Sequence, residues 1–145
     1  MPSSFPIKAH YAMQAMLALA EKHEDREPLP ARQIARDQQI PSQFLTQILQ
    51  LLRTAHLVSS TRGANGGFLL ERSPDNVTLA EVVDAVCPST QRDACVEQGE
   101  SPGKLSHVMN EVWLELEQQQ RAVMESLTLS ELLTRARESA PMFYI

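Results

Sequence analysis

The chain has 145 residues, 43% of them hydrophobic and 21% charged, with a formal net charge of −5. That length suits one domain, or a small domain with a helical extension, and the apolar fraction is enough for a buried core. No apolar run approaches the roughly 20 residues that span a bilayer, the N-terminus lacks a basic and then apolar leader, and two cysteines make no disulfide scaffold, so a cytoplasmic, non-membrane protein is expected.

Tyr11, Ala12, Ala15, Met16 and Leu19 fall at helical spacing and predict a first helix from Ile7 to about Glu24. The charged, proline-bearing stretch at 24–30 reads as a loop. Pro30 then opens a short helix over 31–37, since its missing N–H costs nothing in a first turn. Pro41 does the same for a helix from Ser42 to about Thr54. Phe44, Leu45, Ile48, Leu49, Leu51 and Leu52 give that helix a broad apolar face. Gln43, Thr46, Gln47, Gln50 and Arg53 fall opposite, an amide- and hydroxyl-rich stripe suited to base edges and phosphates, or to a plain solvated face.

Residues 57–62 and 68–71 are strand-like runs around Gly63-Ala64-Asn65-Gly66-Gly67, which reads as a hairpin turn with Arg62 at its tip. Short helices, a polar-striped helix and a hairpin, in that order, form a winged helix-turn-helix. The striped helix would enter the major groove, with the hairpin beside it. Thr78 and Glu81 make a capping box that opens a helix to about Val86. Residues 87–103 hold both cysteines, Cys87 and Cys95, with two glycines and two prolines, and read as a loop. Residues 105–127 form one long helix. Leu105, Met109, Val112, Leu116 and Val123, with Gln119 interrupting, alternate by four and three, a seam for pairing with a second copy. Thr128 and Glu131 cap a final short helix, and the tail at 141–145 is apolar.

The expected fold class is therefore mainly α. A winged-helix part covers 1–86, a cysteine-containing sensor loop 87–103, and a dimerisation helix with a C-terminal helix 104–145. Charge follows this division. Residues 31–72 carry Arg32, Arg36, Arg53, Arg62 and Arg72 against Asp37 and Glu71, whereas residues 73–145 carry five basic against twelve acidic groups. A basic reading head on an acidic body has this asymmetry, although five arginines are a small sample.

At these residues the sequence resembles the bacterial winged-helix transcriptional regulators typified by IscR, NsrR and CymR. The matching stretches are 11–16, 40–49, 57–58, the Arg-Gly-x-x-Gly-Gly wing within 62–70, 77–83 and 128–133. The resemblance implies a homodimer on double-stranded DNA carrying an imperfect palindrome. It places Gln43, Thr46 and Gln47 where the family reads bases and Arg62 where it enters the minor groove. Ser42, Gln50, Arg53 and Asn65 complete the candidate DNA contacts.

Cluster-binding members hold an iron–sulfur centre with three loop cysteines and a fourth ligand from elsewhere. Here Cys87 and Cys95 match approximately, while Gly103 and Lys104 stand near the third position and do not ligate iron. His107 lies close to where some members place a histidine ligand. His10 lies where some supply an acidic ligand from helix one of the partner subunit. Two Cys with one or two His can hold a two-iron–two-sulfur cluster, because imidazole replaces thiolate in Rieske centres. Thiol redox sensing without a cofactor, and no sensing chemistry at all, remain as alternatives.

A winged-helix module that binds protein or a small ligand, without sequence-specific DNA binding, is the rival function. An enzyme is not expected: His10, His23, His56 and His107 are dispersed, and no hydrolase elbow, zinc-protease or phosphate-loop pattern occurs.

Overall fold

The computed structural model describes residues 5–88 and 103–139. The expected cysteine loop, including Cys95, falls mostly outside them, as does the apolar tail. The chain folds as α1 (Ile7–Glu21), α2 (Ala31–Gln38), α3 (Ser42–Thr54), β1 (Val58–Thr61), β2 (Gly67–Leu70), a 3₁₀ turn (Pro74–Asn76), α4 (Leu79–Val86), α5 (Lys104–Ser126) and α6 (Leu129–Ser139). α1 ends three residues before the expected point, and the other helix ends move by a residue or less.

Pro6, Pro30 and Pro41 precede α1, α2 and α3, each in an extended conformation with no side-chain cap. Rigid proline geometry, rather than a capping hydroxyl, aims the chain into these three helices. α4 and α6 start differently. Thr78 Oγ1 accepts from Glu81 N at 3.3 Å, and Thr128 Oγ1 accepts from Glu131 N at 3.2 Å. The expected reciprocal half of the first capping box is not made with Glu81, whose carboxylate instead takes Arg72 Nη2 at 2.6 Å. A charge-assisted pair outcompetes one more neutral amide contact.

α1 is the central helix and packs on α2, α3, α4, α6 and β2. Ala9, Ala12, Ala15, Ala18 and Ala20 are buried along it. These small side chains let five neighbouring elements approach one helix, while Met16 and Leu19 fill the remaining space. The wing is an antiparallel pair, with Val58 opposite Leu70 and Thr61 opposite Gly67. Leu29 adds a third, single-residue rung: its N–H reaches Phe68 O at 3.0 Å, and Phe68 N–H reaches Leu29 O at 2.9 Å. The backbone at Leu29 comes so close that a Cβ on Gly67 would lie 2.5 Å from it, so this position requires glycine.

The core does not stop at residue 86. Met124, Leu129 and Leu133 join the same buried cluster as α1, α3 and α4. Leu79 N–H bonds Leu127 O at 2.8 Å, and Leu129 N–H bonds Val77 O at 3.0 Å, which locks the starts of α4 and α6 together. The sequence reading names residues 104–145 as a dimerisation helix and a C-terminal helix. The end of α5 and the start of α6 share the core of the winged helix, because α6 has an apolar face of its own to bury.

Candidate nucleic-acid interface

α2 and α3 meet at a tight turn. Gln39 adopts a left-handed conformation (φ 54°, ψ 47°), and Ile40 N–H closes on Ala35 O at 2.9 Å. Ile40 is buried, which anchors the turn and fixes the angle at which α3 leaves it. Leu45, Ile48, Leu49 and Leu52 hold α3 to the core. Gln43, Thr46, Gln47, Gln50 and Arg53 are all exposed on the other side, with Ser42 at the helix start. Thr46 Oγ1 donates to Ser42 O at 3.0 Å, which fixes the hydroxyl while leaving its lone pairs outward.

Two apolar residues of α3 do not behave as the periodicity predicts. Leu51 is half-buried, and Phe44 is 50% exposed, with its ring centroid 6.3 Å from that of Tyr11. α1 already fills the space on that side of α3, so the core has no room for the Phe44 ring.

The wing is tied to α3 through Arg53, whose Nη1 donates to Ser60 Oγ on β1 at 3.3 Å. The chain reverses at Gly63–Gly66, where Gly66 N–H bonds Gly63 O at 3.0 Å and Gly63 has a φ of 115°, open only to glycine. Arg62 was expected at the tip. It stands at the shoulder instead, directly after β1, and Asn65 lies nearer the tip. Both are exposed.

Of the five basic-segment arginines, Arg72 is neutralised by Glu81, and Arg36 faces Asp37 at 3.7 Å. Arg32, Arg53 and Arg62 have no acidic partner among the described residues. Arg32 and Arg36, one turn apart on α2, are exposed together. No motif singles this pair out among the candidate DNA contacts; its spacing of four on one helix is the available signal.

α5 is 23 residues long, and only Met124 is buried. Leu105 is 83% exposed, and Met109, Val112, Leu116 and Val123 are exposed with it. Val108 and Trp113 flank this stripe and are also exposed, while Leu114 lies on the far side of the helix. The C-terminal end is fastened to α4 by Arg121, whose Nη1 lies 2.6 Å from Asp84 Oδ2 and whose Nε lies 2.9 Å from Glu125 Oε1. The hydrogen bond Arg121 donates to Asp84, and then the one it donates to Glu125, raise the guanidinium pKa further above its ordinary value.

Cys87 is not on a loose loop. It closes α4 through its N–H on Val83 O at 2.7 Å and is 7% exposed. His107 is exposed in the first turn of α5, with Nε2 3.3 Å from Glu111 Oε1. His10 borders an open groove of about 260 Å³ between α1, α4 and the end of α5, with Met13, Val83 and Met124 among its walls. Within one chain, among the described residues, no three His, Cys, Asp or Glu side chains come together as metal ligands. Cys87, His10 and His107 are thus not brought together among the described residues, and Cys95 lies outside them. No helix among the described residues is long and apolar enough to cross a membrane.

Comparison with known proteins places this geometry. The family model described as Rrf2, iron-dependent transcriptional regulator, matches residues 6–135. The transcriptional regulator CymR of Bacillus subtilis is 32% identical over 140 residues, covering 95% of this chain and 96% of the relative. IscR of Vibrio parahaemolyticus is 32% identical over 127 residues, covering 88% of this chain and 75% of the relative. Among solved structures, IscR of T. potens superimposes with a TM-score of 0.76 at 30% identity, covering 93% of this chain and 89% of the other. CymR of B. subtilis, titled a global cysteine regulator, gives 0.76 at 28% identity, covering 93% and 98%. These relatives are transcriptional regulators, not enzymes, and their fold is the mainly helical winged-helix arrangement found here. The chain belongs to the Rrf2 family of transcriptional regulators.

Proposed function

We propose that the protein works as a homodimer that reads a two-fold DNA sequence, with α3 in the major groove and the wing alongside. One observation carries this: the exposed amide and hydroxyl stripe of α3 is continuous, through the Arg53–Ser60 bond, with a wing that bears an acid-free Arg62. Glutamine side chains pair with adenine edges, and an unpaired guanidinium is drawn to the negative potential of a narrow minor groove. Ser42, Gln43, Thr46, Gln47 and Gln50 are assigned to the groove, and Arg53, Arg62 and Asn65 to the backbone and minor groove. Selecting bound duplexes from a random-sequence library tests it. Recovery of a palindromic consensus is the expected result, and sequence-independent binding that simply weakens with salt contradicts it.

Dimerisation is assigned to α5. A stripe holding Leu105, Met109, Val112, Leu116 and Val123 is an aggregation hazard on a monomer and a normal seam in a dimer.

A second assignment concerns sensing. Cys87 lies three residues after Asp84, the residue that fastens α5 to α4. Chemistry at Cys87, with Cys95 as the second thiol, would loosen the end of α4 and so change how α5 is held. Replacing both cysteines by alanine should then abolish any difference in DNA affinity between reducing and oxidising buffer. Visible absorbance and bound iron in anaerobically purified protein would instead point to a cluster and contradict a purely thiol mechanism.

A further inference from the structure

Phe44 is the large apolar side chain of α3 that the core does not take. Leu45, Ile48, Leu49 and Leu52 are buried, yet Phe44 stands half exposed in the first turn. The ring is nonetheless held in place, tilted at 46° against Tyr11 of α1 with centroids 6.3 Å apart. Tyr11 is itself half-buried and packed on the core, so the Phe44 ring has an anchored neighbour on one side.

Three features of this position bear on what the ring could touch. Helical side chains lean over the turn N-terminal to their own Cα, so Phe44 covers the beginning of α3. That end of a recognition helix goes deepest into the groove. Gln47 lies three residues on, a neighbouring position on the helix surface, and Gln43 adjoins Phe44 in the chain; both are exposed. The major-groove edge of DNA presents one apolar group, the C5-methyl of thymine. Where a glutamine reads adenine, the paired thymine puts its methyl into the same groove, beside the amide. A phosphate would gain nothing from a phenyl ring, and a methyl would.

We infer that Phe44 is a specificity-determining residue that packs against a thymine methyl in each half-site, alongside the adenine-reading Gln43 and Gln47. This assignment rests on the DNA-reading role proposed above and names a contact within it.

Burying one methyl-sized group is worth about a four-fold change in affinity. The test uses the duplex that the wild-type protein selects from a random-sequence library. Each thymine is replaced in turn by deoxyuridine, which removes the 5-methyl and leaves base pairing intact. At one thymine per half-site, deoxyuridine should weaken wild-type binding about four-fold and leave Phe44→Ala unaffected, with Phe44→Leu intermediate. Phe44→Leu keeps the ring's bulk in part and serves if the alanine variant folds poorly.

Equal losses for wild type and Phe44→Ala at every thymine would overturn the assignment, as would a selected site with no sensitive thymine. A Phe44→Ala protein that keeps the thymine preference but sediments differently would show that the ring serves a protein contact instead. If the wild type selects no sequence, the DNA-reading role itself falls, and this contact with it.

Discussion

Arg62 follows directly on β1, exposed and without an acidic partner among the described residues, so its removal takes away a charge and no packing. Arg62→Ala should weaken specific DNA binding by about 1–3 kcal/mol while leaving the melting temperature unchanged. Fluorescence anisotropy on the selected duplex checks the first part and thermal denaturation the second; unchanged affinity would remove the wing from the DNA contact. Cys87 is the opposite case, a side chain whose role in the fold must be separated from its chemistry. It is buried at the end of α4, so Cys87→Ser places a hydroxyl where a thiol was tolerated and should cost about 1–3 kcal/mol if no partner is found. Cys87→Ala leaves only a small void and should cost less, which urea unfolding of the two variants would show. Alanine is therefore the better replacement for testing thiol function. Nothing in the residue spacing distinguishes these two environments. The sequence reading places Cys87 on a loop that follows α4, whereas its burial depends on how the end of α4 lies on the core.

At the scale of elements, the prolines and glycines made the order of helices and the wing legible. Pro30 and Pro41 have one conformation to offer, and Gly63 and Gly67 mark a reversal and a close approach that other residues resist. What escaped were features decided by a distant partner. Phe44 fits the apolar period of α3 but is displaced by α1, and Glu81 fits a capping box but is claimed by Arg72. Leu29, in what reads as a loop, becomes a rung of the wing. The stops after α2 and α3 were placed to within a residue, although Gln39 and His56 take left-handed conformations that sequence habit assigns to glycine. Gln39→Gly should accordingly raise stability by up to about 1 kcal/mol, the relief of left-handed strain less the extra freedom of the unfolded chain. A lower melting temperature would mean that the Gln39 side chain contributes something to the turn that geometry alone does not. The candidate DNA face was more legible than the sensing region, because a helical stripe is local whereas a ligand set is not.

At the scale of the whole molecule, one core joins α1 to α6, and α5 leaves it as an arm fastened at one end by Met124 and the Arg121–Asp84 pair. The arm presents its stripe to solvent in a single chain, and the proposal assigns a second copy to cover it. Replacing Met109 and Leu116 together by Glu should yield a folded monomer with weakened DNA binding; both residues are exposed, and neither supports the core. Sedimentation equilibrium checks this, and a wild type that is already monomeric at micromolar concentration would contradict it. Arg121→Ala should cost less in stability, up to about 1 kcal/mol for an exposed pair, yet loosen how the arm is held. In the proposed dimer the arm would set the spacing of two recognition helices, and DNA demands that such a pair lie in successive turns of one groove. A hydroxyl-radical footprint of the protein on its selected duplex tests this most directly. Two protected patches related by a two-fold axis, with centres a whole number of helical turns apart, about 10–10.5 base pairs each, are the predicted result. A single unrepeated patch, or uniform protection along the duplex, would contradict it.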